Sequence, residues 1–197
     1  MWATIVDRDG IVCAVAFSGN DRGAQWPGSR VLSVQKANTA NAFSLDALAL
    51  STANLYSAVQ PGGSLFGLQE SNPVNPDVAY GGDPAQYGTP GDPMTGKRIG
   101  GVNVFGGGLA LYDNTRKVVG AVGVSGDTSC ADHMIAWRTR NRLNMDKLAG
   151  VGGVSGDAQR PDNIVFDINP GTDKSAGGFG HPRCINTANQ MNLPPVE

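Results

Sequence analysis

The chain opens with two short runs of β-forming residues, 4–6 and 11–17, joined through Asp7-Arg8-Asp9-Gly10. Asp-Gly between such runs is a tight-turn signal, so residues 2–17 read as a hairpin. A lone two-stranded hairpin is marginal in water, so later parts of the chain must supply more strands and a covering element. Residues 99–105 and 109–112 read as strands interrupted by Gly106-Gly107-Gly108, and Asp113-Asn114-Thr115 as a turn. Val118, Val119, Ala121, Val122 and Val124 are dense enough in β-formers for a central strand. Residues 164–168 form a further candidate strand.

The covering elements are helices. Ser29 can cap a helix starting at Arg30, whose face of Val31, Val34, Ala37 and Ala40 is small enough for close approach to a sheet or a flat ligand. Leu45, Leu48, Thr52, Leu55, Tyr56 and Val59 recur near helical spacing, which predicts a second helix over 45–59, ended by Pro61-Gly62-Gly63. A third runs over 129–143. The only glutamates are Glu70 and Glu197, and long helices usually recruit Glu on their wet faces, so short elements and loops should dominate. Residues 61–98 carry Pro61, Pro73, Pro76, Pro84, Pro90 and Pro93 and read as an irregular arm: a lid, a subunit contact or an excursion, with a short strand or turn near 65–68. The expected organisation is one α+β domain over 1–197, mostly antiparallel, with the arm at 61–98 and a C-terminal extension at 144–197. The polar end of that extension should lie on the surface.

Several function classes fall away. With a net charge of -2 the chain lacks the basic footprint of a nucleic-acid binder. No apolar stretch approaches the ~18 residues of a membrane span, and no secretion signal is read at the start.

Histidines and cysteines carry the chemical interest. His133 lies on the third helix and His181 in a glycine-rich segment, and each can ligate a metal or move a proton, or serve structure alone. Cys130 and Cys184 each stand three residues from a histidine. A disulfide between them would tie the tail to the helix and draw both imidazoles in. It would favour a periplasmic or extracellular location, and free thiols a cytoplasmic one. Cys13, in an apolar strand, reads as core. Gly106, Gly107 and Gly108 read as a bulge or as backbone left bare for a planar ligand. The segment from Ser125 and Gly126 to Thr128 offers either amides for an anion or a helix cap. Lys36 can meet an anion or reach to water.

Four blocks resemble a known family: residues 4–17 (TIVDRDGIVCAVAF), 33–45 (SVQKANTANAFSL), 106–108 (GGG) and 118–140 (VVGAVGVSGDTSCADHMIAWRTR). They are similar to the GlcG/HbpS-like haem-binding family, related to the C-terminal domain of PduO corrinoid adenosyltransferases. The resemblance implies a profilin-like five-stranded antiparallel sheet packed with helices, and a homo-oligomer, dimer or larger. It also implies haem as cofactor. Lys36, Ala37 and Thr39 match the family's helix, Gly106 to Gly108 its glycine turn, and Gly123, Ser125, Gly126 and Asp132 its strand–helix segment. On this reading the chain binds or handles haem, and its partner is a small planar or anionic ligand. His133 or His181 would hold the iron, Lys36 would meet a propionate, and the glycines, with Ser125 and Gly126, would border the ring. Three departures stand out: no helix precedes the first strand, His133 replaces a frequent Glu, and 144–197 exceeds the compact domain. The rival readings are a small enzyme on an organic acid, with His133 or His181 as acid–base group, and an oligomeric interaction module without a catalytic site.

Overall fold

The computed structural model describes residues 1–185 and 192–197. Strand β1 (Trp2–Asp7) pairs antiparallel with β2 (Val12–Phe17). Between them the Asp7 carboxylate accepts from the amides of Asp9 and Ile11, each at 2.9 Å, and Gly10 takes φ 77°. That left-handed backbone suits glycine. The register steps from Ile5↔Ala14 to Val6↔Val12, leaving Cys13 as the extra residue of a bulge, which turns it outward. Cys13 is therefore exposed, not core.

Helix α1 (Ser29–Phe43) follows. Its N-cap is Gly28 with no side-chain bond, so Ser29 is the first helical residue and not the cap. The expected helix over 45–59 is absent. Leu45 and Leu48 exchange backbone hydrogen bonds, Ala49 N–H donates to Gly152 O at 2.8 Å, and only two 3-10 turns form, Thr52–Leu55 and Ser57–Val59. Tertiary pairing with Gly152 overrides a helical pattern worth only tenths of a kcal/mol per residue.

The proline-rich arm packs back onto α1. It contains two single-turn helices, α2 (Leu68–Ser71) and α3 (Pro76–Ala79), and of the strand or turn expected near 65–68 it is the turn that forms, with Leu68 N–H donating to Leu65 O. The arm is pinned by Asp92, whose buried carboxylate takes Arg30 Nε at 3.0 Å, while Arg30 Nη1 donates to Ala79 O at 2.8 Å.

Strands β3 (Gly108–Tyr112) and β4 (Val118–Ser125) complete an antiparallel sheet in the order β2-β1-β4-β3. Successive β4 residues face opposite layers. Ala121 packs with Val31, Val34, Ala37 and Ala40 of α1. Val122 and Val124 pack with Met134 and Trp137 of helix α4 (Ser129–Arg142). Gly123 lies so close to α1 that a Cβ there would meet Ser33 O and the Ala37 amide.

The expected five-stranded profilin-like sheet is not what forms. Among the described residues there are two separate sheets, this four-stranded one and a two-stranded one made by β5 (Ile168–Asn169) and β6 (Lys174–Ser175). Residues 99–105 are no strand. Gly100 and Gly101 adopt φ 71° and 83°, which breaks the extension. Beyond them, Asn103 N–H donates to Thr39 Oγ1 and Phe105 N–H to Asn103 Oδ1, so side chains take the amides a ladder would need. Residues 164–167 likewise stay irregular, with strand only at Ile168–Asn169.

The extension beyond α4 is anchored by a fully buried pair. Arg140 Nη1 and Nη2 reach Asp162 Oδ2 and Oδ1 at 2.6 and 3.0 Å. At the tail, Leu193 and Val196 are buried in the α4-side core and Trp137 Nε1 donates to Pro194 O at 2.9 Å. Leu193 and Val196 are therefore not on the surface, whereas the polar Asn192 and Glu197 are exposed as expected. The polar tail segment at 186–191 lies outside the described residues. Among the described residues no helix is long and apolar enough to cross a membrane.

Candidate functional site

The residues singled out in the sequence fall along one seam, where α1, the glycine turn, the start of α4 and the extension meet. Lys36 crosses from α1 beneath the glycines. Its Nζ donates to Asp132 Oδ2 at 2.7 Å and Val124 O at 3.1 Å, and both side chains are buried. Burial presses the Lys36 pKa down and the Asp132 pKa up, and each one's charge opposes the shift of the other. Asp132 Oδ1 also accepts from the Asp127 amide at 3.0 Å.

The three glycines make this crossing feasible. A Cβ on Gly107 would meet Val124 O, Asp132 Cβ and Lys36 Cδ, and one on Gly108 would meet Lys36 O and Thr52 Cγ2. On Gly106 it would meet Ser129 O and His133 Cβ. Protein atoms thus fill the space beside these glycines. At the end of β4, Ser125 pairs with Trp2, and Gly126 lies against Met1. Thr128 caps α4 by accepting from the Ala131 amide at 3.3 Å.

The two histidines border Gly106 from different sides. His133 is fully buried. Its Nε2 lies 3.2 Å from Asn163 Oδ1, which makes Nε2 the donor, and Nδ1 has no hydrogen-bond partner among the described residues. His181 Nδ1 lies 2.7 Å from Pro182 O and therefore carries the proton, while Nε2 accepts from Gly106 N–H at a long 3.4 Å. Burial holds both rings at a pKa of about 4; the Asp162 charge opposes this at His133, and the bond to Pro182 O opposes it at His181. Both imidazoles are neutral at pH 7; the His133 Nδ1 lone pair has no donor among the described residues, and the His181 Nε2 lone pair meets the Gly106 amide over a long contact.

Cys130 and Cys184 form the expected disulfide, with Cα atoms 6.0 Å apart. It holds the 181–184 segment against the first turn of α4. An open cleft of about 260 Å³ is lined by the 181–183 part of that segment together with Phe166, Ile168 and Pro170. The Arg183 guanidinium stands 4.9 Å above the Phe166 ring. His181 thus lines the cleft, although it is itself buried, whereas His133 is enclosed.

The sequence reading missed Asn163 as the His133 partner and Thr52, which accepts from the Gly108 amide at 2.9 Å and donates to Phe105 O. Neither residue type nor local spacing marks them. It also missed Phe166 and Arg183 as a cleft wall, although the aromatic and the cation near His181 were a usable signal.

The family profile described as "Haem degrading protein HbpS-like" matches residues 1–140. No curated protein gives a significant match. Among solved structures, a PduOC:heme complex is 26% identical, with a TM-score of 0.50 over 73% of this chain and 78% of that one. The Klebsiella pneumoniae protein ORFY, of family DUF336, is 27% identical, with a TM-score of 0.49 over 73% of this chain and 74% of that one.

Proposed function

This chain belongs to the HbpS-like family, and we propose that it binds haem, with His181 as the iron ligand. The observation that carries the assignment is the cleft at His181: a neutral imidazole beside apolar walls from Phe166, Ile168 and Pro170, with the cationic Arg183 at its rim. Such a combination fits a planar apolar ring bearing carboxylates. The likeness to a PduOC:heme complex supports the same ligand class.

The expected site residues divide in this reading. His181 would hold the iron and Arg183 would meet a propionate. Pro182 O, by accepting from Nδ1, orients the ring and fixes its tautomer, the usual outer-shell role around a ligating histidine. Lys36 is engaged with Asp132, and Gly106 to Gly108 are packed by protein, so these groups shape the scaffold rather than touch the ring. His133, enclosed beside Asn163, positions the extension. Bound haem would supply a redox-active iron, whose reactivity His181 and the polarity of the cleft would tune. Assembly as a homo-oligomer, dimer or larger, belongs to the same proposal and is read by native mass spectrometry.

The test is an absorbance titration of the purified oxidised protein with haemin, repeated for His133→Ala and His181→Ala. The proposal expects a stoichiometric Soret shift that His181→Ala abolishes and His133→Ala keeps. No shift, or one indifferent to His181→Ala, overturns it.

A further inference from the structure

The disulfide and His181 form one cluster: Cys130 Sγ, Cys184 Sγ and an imidazole nitrogen of His181 all lie within 4.8 Å of one another. This reaches beyond haem binding, because it concerns the reduced protein. We infer that opening the Cys130–Cys184 disulfide creates a Cys2His site for a soft divalent ion of the zinc class.

Four features converge on this. Two thiolates and one imidazole are a ligand set that zinc and similar ions favour. The spacing suits a shared ion: two thiolates at ~2.3 Å from one tetrahedral ion stand roughly 3.7 Å apart, so the sulfurs need only part modestly. The Cα atoms, 6.0 Å apart, already allow that. The surroundings favour thiolates, since Cys184 Sγ lies 3.3 Å from the Cys130 amide in the first turn of α4 and 3.6 Å from Ser129 Oγ. Finally, three protein ligands leave one position open for a water or an anion, and one of the three, His181, also lines the cleft with Pro182 and Arg183.

The chemistry balances with a dithiol as reductant. Two electrons from the dithiol break the Cys130–Cys184 bond, the dithiol closes to its own disulfide, and its two protons pass to the protein thiols. Binding of the ion then releases those two protons. The ion is held only while the disulfide is open, and reoxidation expels it.

The probe is Co²⁺, added anaerobically to the full chain before and after reduction, with absorbance read for thiolate charge-transfer bands and the d–d envelope of a tetrahedral centre. The expected result is a one-to-one transition in the reduced protein and none in the oxidised one. Cys184→Ser should lose the thiolate signal, and His181→Ala should weaken binding about tenfold or more. A reduced protein with titratable thiols but no charge-transfer band overturns the inference, as does a band unchanged in either variant. A readout free of variants guards against misfolding: Zn²⁺ should protect Cys130 and Cys184 of the reduced wild-type protein from alkylation, while exposed Cys13 stays reactive. Equal labelling of all three cysteines with and without Zn²⁺ also overturns it. The haemin titration uses oxidised protein, so failure of one reading is distinct from failure of the other.

Discussion

Acidification should destabilise this protein through two buried rings. His133 and His181 hold pKa values of about 4, against an ordinary 6.5. Between those values the unfolded chain takes up a proton at each ring and the folded chain does not. The stability tied to the neutral rings is therefore complete above about pH 6.5 and is lost as pH falls toward 4. A pH of 5 lies about 1.5 units below the ordinary pKa that the unfolded rings keep, which costs ~2 kcal/mol per histidine, or ~4 kcal/mol for both. That is a large fraction of the 5–15 kcal/mol typical of a domain. The assay is urea unfolding at about pH 7.5, 6 and 5 for wild type, His133→Gln, His181→Gln and the double variant. Taking differences between variants removes the carboxylates, which titrate in all of them. Each single variant should lose ~2 kcal/mol less than wild type over this range, and the double variant ~4 kcal/mol less. A double variant with the wild-type pH slope would refute the argument, because the neutral rings could not then be the source.

Other perturbations probe the packing. Arg140→Met should cost about 3–5 kcal/mol, because it strands the Asp162 carboxylate, fully buried, without its partner; chemical denaturation measures this, and Arg140→Met with Asp162→Leu should recover much of the loss. Gly123→Ala should cost about 1–3 kcal/mol by forcing α1 off the sheet at Ser33 and Ala37, visible as a lowered thermal midpoint. Without added metal, Cys184→Ser should cost ~4 kcal/mol in unfolding free energy, the chain-entropy value for a loop of 54 residues.

The hairpin at the start, the central strand β4 and the helix beginning near Ser129 were legible in the sequence, because turn chemistry, β-branched density and capping are properties of neighbouring residues. The small face of α1 was equally plain, whereas the sequence left Cys130 and Cys184 open between a disulfide and free thiols, and the structure decides for the disulfide. The helix over 45–59 and the strand over 99–105 failed for a common reason: distant partners competed for their backbone. Gly152 claims the amide of Ala49, and Thr39 Oγ1 claims that of Asn103. Cys13 misled because one bulge residue reverses the facing of a strand. Local patterns thus determined which segments could be strand or helix and which residue types could carry chemistry. Which of them meet was decided by the tertiary structure, as with Lys36 and Asp132 or Arg140 and Asp162. Burying a charge is costly unless its partner arrives from elsewhere in the chain, and no local window of sequence contains that partner.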